Sequence, residues 1–201
     1  KFKKIKTTNE KFIFLIVASF QENKGIHHTI HAFSKLYQTR TDIELIIMGM
    51  GPYEKQINHL INKLNLSRAV KVINNVKSAN PRELVLEFMG KCDALVLTSF
   101  TTEDGKKEGT PIVLMEAQSC SKPCISTFHA GIPEVVIDGE TGFLVKEKDI
   151  DGIADKMRLL VEDKSLLERL GANARKHVKI NYNHAKQMDK LINIYRDVIE
   201  D

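Results

Sequence analysis

Two glutamates, Glu108 and Glu116, lie on either side of a predicted helix start. Between them, Thr110 is a residue type that often caps helices and Pro111 suits the first helical position, so we predict a helix over Pro111–Ser119. From Thr110 to Glu116 this helix would rise about 9 Å. The two carboxylates are therefore predicted to flank the helix N-terminus, one in the preceding loop and one inside the helix.

The first amides of this helix form a predicted anion-binding site, because they lack partners inside the helix and carry the positive end of its dipole. Pro111 has no N–H, so Ile112 and Val113 are the expected donors. Carboxylates beside a bound phosphate are favourable when they accept hydrogen bonds from hydroxyl groups. A phosphate with sugar hydroxyls on both sides describes a nucleotide sugar. Taken alone, Glu108 and Glu116 fit a solvated loop charge and a surface helix residue at least as well.

Short apolar runs alternate with helical patterns along the whole chain. This alternation predicts an α/β fold, a Rossmann-like three-layer domain with a parallel sheet, in which ligands bind at the carboxyl ends of the strands. We predict strands at Phe12–Phe20, Ile43–Met48, Val70–Ile73, Ala94–Leu97, Cys124–Ser126 and Phe143–Val145. We predict the other helices at Ile26–Tyr37, Tyr53–Leu64, Pro81–Gly90, Gly131–Ile137, Ile150–Val161, Ser165–Lys179 and Ala185–Ile199.

The composition of the 201 residues is that of one globular domain, with 42% hydrophobic and 28% charged residues. A net charge of +4 suits an anionic ligand, but the absence of Trp and the 6% aromatic content argue against nucleic acid as a partner. No apolar run reaches the ~20 residues of a membrane helix, and no signal-peptide pattern opens the chain. We interpret residues 1–11, which are polar and basic, as a linker or tail, and residues 12–201 as the domain.

Three groups of potential metal ligands are interpreted as structural. We assign Asp149 and Asp151 to a helix start, where acidic side chains suit the dipole. Pro123 interrupts the segment between two of the cysteines, so we interpret the thiols as packing or incidental groups: Cys92, Cys120 and Cys124. The clustered histidines lack a further ligand nearby and are expected to be solvated or packed: His27, His28 and His31. We expect neither a metal nor a cofactor.

The two glutamates also match a paired-glutamate motif, E-x7-E, and the chain resembles the retaining GT-B glycosyltransferases, most closely family 4 (glycosyl transferases group 1). The similarity runs in the family's order from about residue 12 to residue 185. It continues through Glu116-Ala117, Pro123, Thr127-Phe-His-Ala-Gly131-Ile-Pro-Glu134 and Asp138-Gly-Glu-Thr-Gly142-Phe-Leu-Val145. Upstream it includes Lys24-Gly25 and a glycine turn at Gly49-Met-Gly51-Pro52.

The resemblance implies roles for the charged residues of the motif. Glu116 would hold the ribose hydroxyls, and Glu108 would lie near the hydroxyls of the donor sugar. Lys24 would contact the diphosphate as a point charge. Lys24 and Glu108 are therefore the candidate catalytic residues.

The resemblance also assigns backbone contacts to the donor. The amides after Gly109 would hold the distal phosphate. This segment comprises Thr110, Pro111, Ile112 and Val113, and Pro111 itself offers no N–H. The main chain at Asn75 and Val76 would meet the base. His129 is the histidine that we expect near the donor sugar.

Two positions depart from the family pattern. Ser19 stands where the family often has an arginine that makes a charge-assisted fork on the diphosphate, so we expect Ser19 in the site without that fork. Lys106 or Lys107 could supply a charge in its place. Ser121 stands where a glycine is usual.

In the family, an N-terminal lobe completes the cleft and holds the acceptor. The resemblance implies transfer of a sugar, of hexosyltransferase type, from a nucleotide-diphosphate donor to an acceptor hydroxyl, with retention and without a metal. We expect that lobe to be absent here, and the chain to bind donor with little or no transfer. The residues of these motifs resemble those of bacterial enzymes of surface polysaccharide or lipopolysaccharide synthesis. The expected acceptor is a glycan or a lipid-linked glycan. The expected location is the cytoplasm, either free or with the full-length enzyme peripherally associated with the inner face of the cell membrane.

The last predicted helix would normally pack across the N-terminal lobe. In isolation we expect it to leave an exposed apolar stripe that favours self-association or disorder: Met188, Leu191, Ile192 and Tyr195. Two other functions stay open. One is a non-catalytic nucleotide-sugar-binding module, and the other is a GT-B-type epimerase acting on the nucleotide sugar itself.

Overall fold

The computed structural model describes residues 11–200, so residues 1–10 of the predicted linker lie outside the described residues. The strands are β1 (Phe12–Val17), β2 (Ile43–Met48), β3 (Val70–Ile73), β4 (Ala94–Leu97), β5 (Cys124–Thr127) and β6 (Gly142–Val145). They form one six-stranded sheet in the order β3-β2-β1-β4-β5-β6, and every neighbouring pair is parallel. The predicted parallel sheet is confirmed.

Helices cover both faces of this sheet, as the α/β alternation predicts. They are α1 (Ile26–Tyr37), α2 (Glu54–Lys63), α3 (Pro81–Lys91), α4 (Ile112–Ser119), α5 (Ile132–Val135), α6 (Ile150–Glu162), α7 (Lys164–Asn181) and α8 (His184–Glu200). Short 3-10 turns at Glu22–Lys24 and Asn75–Lys77 follow β1 and β3. The fold is the predicted Rossmann-like three-layer domain.

Alternate side chains of β1 enter two separate cores, one on each face of the sheet. Phe14 and Ile16 pack into the core beneath α1, α2 and α6. Ile13 and Leu15 pack into the core beneath α3, α4 and α5. Because β1 is buried on both sides, its sequence is almost uniformly apolar instead of alternating.

The prediction that the first strand reaches Phe20 is wrong, because β1 ends at Val17. The side chain of Phe20 is fully buried, but its amide donates to the carbonyl of Met50 at 2.8 Å, in the glycine turn after β2. The turn packs closely on the loop after β1, since a Cβ added to Gly49 would lie 1.9 Å from the carbonyl oxygen of Ala18. The apolar character of Phe20 therefore reflects burial beneath the glycine turn.

Several side chains interpreted as structural have that role. Asp149 is the N-cap of α6, and its Oδ1 accepts the amide of Gly152 at 2.8 Å. His28 is buried against Phe100, with 5.0 Å between ring centroids. All three cysteines are free and buried, which confirms the packing interpretation: Cys92, Cys120 and Cys124.

Helix α8 carries the predicted apolar stripe. Its side chains at Met188, Leu191, Ile192 and Tyr195 are 41–61% exposed. The exposure is confirmed, whereas self-association stays a prediction. Across residues 11–200, no helix is both long and apolar enough to cross a membrane.

Candidate functional site

The order of the sheet reverses between β1 and β4, which pair side by side at its centre. From β1 the chain proceeds to β2 and β3 on one side, and from β4 to β5 and β6 on the other. The loops after β1 and β4 therefore leave the same edge and diverge over opposite faces, which opens a crevice at the point where open α/β sheets bind ligands. Residues 18–25 and 98–111 form these two loops.

Lys24 and Glu108 meet across this crevice. The Nζ atom of Lys24 donates a hydrogen bond to Oε2 of Glu108 and forms an ion pair with it. The hydroxyl of Ser99 donates to the same carboxylate oxygen at 3.3 Å. The two charged side chains are 17% and 14% exposed, so the pair is sheltered but still open to a ligand. Sequence reasoning placed both residues in the site without predicting their contact.

Gly25 brings Lys24 to the end of β4. It has a φ of 63° and is the N-cap of α1, directly after the 3-10 turn that holds Lys24. A Cβ at this position would lie 2.0 Å from the carbonyl oxygen of Thr98, so only glycine permits the approach. The hydroxyl of Thr98 donates to the carbonyl of Gly25 at 2.9 Å and ties the two loops together.

A second series of hydrogen bonds, through His129 and Glu147, holds the backbone of Glu108. Its amide donates to Nε2 of His129 at 2.9 Å, and Nδ1 of His129 lies 2.6 Å from Oε1 of Glu147. Oε2 of Glu147 accepts the amide of Thr101 at 3.0 Å. Burial acts to raise the pKa of Glu147, but the hydrogen bonds from His129 and Thr101 outweigh it and lower the pKa overall. Glu147 is therefore ionised at neutral pH.

The helix start in front of Glu116 is shifted from the predicted one. The prediction that Thr110 caps the helix with Pro111 as its first residue is wrong. Pro111 is the cap residue, with extended backbone (φ −68°, ψ 114°), and α4 begins at Ile112. The Thr110 hydroxyl instead packs on Gly131, where an added Cβ would lie 2.5 Å from it. The fixed φ of proline suits both positions, so sequence could not distinguish them.

The amides expected to bind phosphate are open. The amide of Leu114 donates to the carbonyl of Pro111 at 3.2 Å and is the first to pair in the helix. Within the described part of the chain, the amides of Ile112 and Val113 have no hydrogen-bond acceptor. Gly109, like the neighbouring Thr110, is exposed in the preceding loop. The N-terminus of α4 thus offers two free donors and the positive end of the helix dipole.

Glu116 lies inside α4 with a half-buried side chain. Among residues 11–200 its carboxylate has neither a hydrogen-bond donor nor a cation as partner. A sheltered carboxylate without a partner has a free capacity to accept hydrogen bonds from hydroxyl groups of a ligand.

A cavity of about 310 Å³ lies beside the ends of β1 and β2. Ser19 and Val76, both predicted to contact the ligand, line this cavity and are exposed. The rest of its lining is mostly apolar and comes from Val17, Ala18, Met48, Gly49, Met50 and Asn75. A flat apolar ring fits this kind of lining.

The family model described as glycosyl transferases group 1 matches residues 1–177. The chain belongs to this family. N-acetyl-alpha-D-glucosaminyl L-malate synthase of Bacillus anthracis is 31% identical over 189 residues, which cover 94% of this chain and 46% of that protein. The amylovoran biosynthesis glycosyltransferase AmsK of Erwinia amylovora is 31% identical over 169 residues, which cover 84% of this chain and 40% of that protein. The chain thus spans about half or less of the length of these relatives.

Solved structures of glycosyltransferases share the fold. The C-terminal domain of the group 1 family protein LpcC from Francisella tularensis has a TM-score of 0.75 at 22% identity and covers 86% of this chain, with 87% of its own length matched. Anabaena Alr3699/HepE, in complex with UDP and glucose, has a TM-score of 0.72 at 24% identity, covering 90% of this chain and 48% of that one. These neighbours confirm the predicted fold of a GT-B C-terminal lobe.

Three details of this group 1 domain bear on the sequence expectation. Lys106 pairs with Asp104 at 2.7 Å inside its own exposed loop, and its suggested role in place of the arginine absent at Ser19 stays a prediction. His129, expected near the donor sugar, lies beside Glu108, where it is 2% exposed and both its ring nitrogens are engaged. Sequence reasoning did not identify Glu147 as a site residue. The only pattern that could have indicated it is its position just after the short buried strand β6.

A larger cavity of about 590 Å³ lies away from these residues, between the start of α1 and α2. Its apolar lining includes Ile26, Ile57 and Leu60, and none of the predicted site residues line it. The larger cavity therefore does not coincide with the predicted site residues, which include Lys24, Glu108 and the first residues of α4.

Proposed function

We propose that this chain is the donor-binding domain of a retaining, metal-independent glycosyltransferase that transfers a sugar from a nucleotide diphosphate to an acceptor hydroxyl. The observation that carries the proposal is the meeting of Lys24 and Glu108 at the reversal of sheet order. There a cation for phosphate and a carboxylate for sugar hydroxyls face one crevice.

Each part of a nucleotide sugar has a matching group in the crevice. The base enters the cavity between Ser19 and Val76, where main-chain groups and apolar side chains surround it. Glu116 accepts hydrogen bonds from the ribose hydroxyls. The diphosphate lies between Lys24 and the free amides of Ile112 and Val113.

The donor sugar lies at Glu108, which anchors it through its hydroxyls. Lys24 then bridges the Glu108 carboxylate and the diphosphate, so one cation orients both parts of the donor. As the bond between the sugar and the diphosphate breaks, negative charge develops on the leaving phosphate. Lys24 and the N-terminus of α4 stabilise that charge, and we propose no metal in this role.

The family membership and the names of its relatives support this proposal. One relative is named for amylovoran biosynthesis, and one structural neighbour was solved with UDP and glucose. We extend the proposal to a hexosyltransferase of bacterial surface polysaccharide or lipopolysaccharide synthesis that uses a glycan or lipid-linked acceptor. The acceptor contacts belong to an N-terminal lobe of the whole protein, which works in the cytoplasm at the membrane face. The chain alone then binds donor with little transfer.

The experiment that tests the proposal is calorimetric titration of the chain with UDP, GDP and ADP, with and without magnesium. We expect one nucleotide to bind, independently of magnesium, and to bind at least about tenfold more weakly to Glu116→Ala. Glu168→Ala is the matched control, because Glu168 is an exposed glutamate on α7. The absence of binding to any nucleotide at millimolar concentration, in both the chain and the full-length protein, would refute a donor site.

Activity of the full-length protein separates the three functions. A transferase consumes the nucleotide sugar in the presence of acceptor and extends the glycan. An epimerase releases a changed nucleotide sugar without any acceptor, and a binding module leaves the donor intact in both cases. The glutamates Glu108 and Glu116 and the turn Gly131-Ile-Pro-Glu134 favour the transferase over both alternatives, because these motifs match the glycosyltransferase pattern.

A further inference from the structure

His129 and Glu147 join the two ends of the loop that carries Glu108. At one end, Glu147 accepts the amide of Thr101, and at the other end His129 accepts the amide of Glu108. Between these ends the loop closes on itself, since the amide of Thr102 donates to the carbonyl of Lys106 at 3.1 Å. The side chains of His129 and Glu147 therefore form a bridge that connects the two ends of this loop.

The geometry determines which nitrogen of His129 carries the proton. The amide of Glu108 can only donate, so Nε2 of His129 must present its lone pair at 2.9 Å. In the neutral ring the proton then lies on Nδ1, which donates to the carboxylate of Glu147 at 2.6 Å. The negative charge of Glu147 favours this tautomer over the other.

The surroundings keep the bridge in place. His129 is 2% exposed, so water does not compete for its nitrogens. The hydroxyl of Thr127 donates to the carbonyl of Ser99 at 2.5 Å and ties the end of β5 to the start of the Glu108 loop. Ser99 in turn donates from its hydroxyl to Glu108. The carboxylate and the backbone of Glu108 are thus oriented by separate contacts.

We propose that His129 and Glu147 are positioning residues that direct Glu108 toward the donor sugar through the Nδ1–H tautomer of the imidazole. As a statement about sugar transfer it rests on the proposed function. The orientation of the loop depends only on four hydrogen-bonded groups: the amides of Thr101 and Glu108 and the side chains of His129 and Glu147.

The first test is NMR spectroscopy of the chain with ¹⁵N-labelled histidine. Long-range ¹H–¹⁵N spectra should show His129 protonated on Nδ1. In Glu147→Gln a single amide oxygen cannot accept from both the Thr101 amide and Nδ1–H, so the variant weakens the hold on the tautomer that accepts from the Glu108 amide. We expect that amide to exchange its hydrogen about tenfold faster in the variant. An Nε2–H tautomer in the unmodified chain, or unchanged Glu108 exchange in Glu147→Gln, overturns the proposal.

Three further variants control for non-specific effects. Glu44→Gln removes a sheltered carboxylate from an ion pair with Lys71 on β2 and β3, and it should leave the exchange of Glu108 unchanged. His129→Gln keeps an acceptor that can reach the amide, so it should restore more protection at Glu108 than His129→Ala does. If His129→Ala does not fold, Glu147→Gln and the tautomer still decide the question.

Kinetics of the full-length protein test the consequence for transfer. In Glu147→Gln we expect kcat to fall about tenfold while KM for the donor stays within about twofold, because Lys24 and the amides of α4 still hold the diphosphate. Unchanged kcat together with faster Glu108 exchange would overturn the catalytic part of the proposal. If no nucleotide binds, the proposed function fails, but the tautomer and exchange results remain valid.

Discussion

Lys24 and Glu108, 84 positions apart in the sequence, form an ion pair across the crevice between β1 and β4. Each residue reaches this point from its own loop, and the central pairing of the two strands brings the loops together. The pair places a cation and a carboxylate where the donor's diphosphate and sugar would lie. Its consequences can be measured on the chain as it stands.

Replacing Lys24 should weaken binding of the nucleotide diphosphate. Lys24→Ala removes a charge-assisted contact to phosphate, and we expect the Kd to rise about 10- to 100-fold. Calorimetric titration measures this effect. Lys35→Ala is a suitable control, because Lys35 forms an exposed ion pair with Asp151 on the outside of the domain. This variant should bind the nucleotide diphosphate with an unchanged Kd. An unchanged Kd in Lys24→Ala would show that the lysine does not contact the diphosphate.

Replacing Gly25 should destabilise the fold as well as the site. Gly25→Ala adds a Cβ 2.0 Å from the Thr98 carbonyl at a φ of 63°, so we expect the free energy of unfolding to fall by about 2–4 kcal/mol. Gly105→Ala is the matched control, because Gly105 has a φ of 80° with nothing within 4 Å of the added Cβ. Urea unfolding compares the two. Equal losses would mean that backbone strain, and not contact with the Thr98 carbonyl, determines the requirement for glycine.

The free energy of unfolding should decrease as the pH is lowered from about 6.5 to about 4, because of His28. Burial, followed by the nearby charges of His27, Lys148 and His31, lowers the pKa of His28 from 6.5 to about 4. In this range the unfolded chain binds a proton that the folded chain does not, so the free energy of unfolding decreases as the pH falls. The shift sets an upper bound of about 3 kcal/mol on this effect, and solvent screening reduces it.

Urea unfolding at several pH values checks this dependence, with His28→Gln as the comparison. The variant lacks the titrating group, so its free energy of unfolding should depend less steeply on pH than that of the unmodified chain over the same range. Parallel curves for the two proteins would contradict the prediction. Glu147, whose pKa is lowered, adds its own loss of stability below about pH 4.5, so the two proteins are compared above that pH.

Removing α8 should leave the rest of the domain intact. The side chains of its apolar stripe remain exposed, so deletion of residues 184–201 should change the free energy of unfolding by less than about 1 kcal/mol. Leu170→Ala in α7 serves as the contrast, because Leu170 is fully buried and its truncation should cost about 2–5 kcal/mol. A large loss on deletion of α8 would show that the helix packs on the domain. Light scattering on both forms tests the predicted self-association.

Local sequence patterns were sufficient for the class of fold and for most element bounds. Helix α1 and strands β2, β3 and β4 run between the predicted residues, because apolar periodicity and breaker residues act over a few positions. Phe20 and Pro111 show the limit of such patterns. A buried loop phenylalanine resembles the end of a strand, and a proline suits both the cap and the first turn of a helix.

The sequence by itself determined the family, the parallel α/β fold and the segments that carry the candidate donor contacts. Motif order and periodicity are local properties that survive without any knowledge of strand order. Only the tertiary structure decided that Lys24 pairs with Glu108, and that His129 and Glu147 hold the backbone of Glu108. These contacts join residues that are distant in sequence, and they depend on which strands become neighbours. Strand order is a property of the whole packed sheet, which no short pattern encodes.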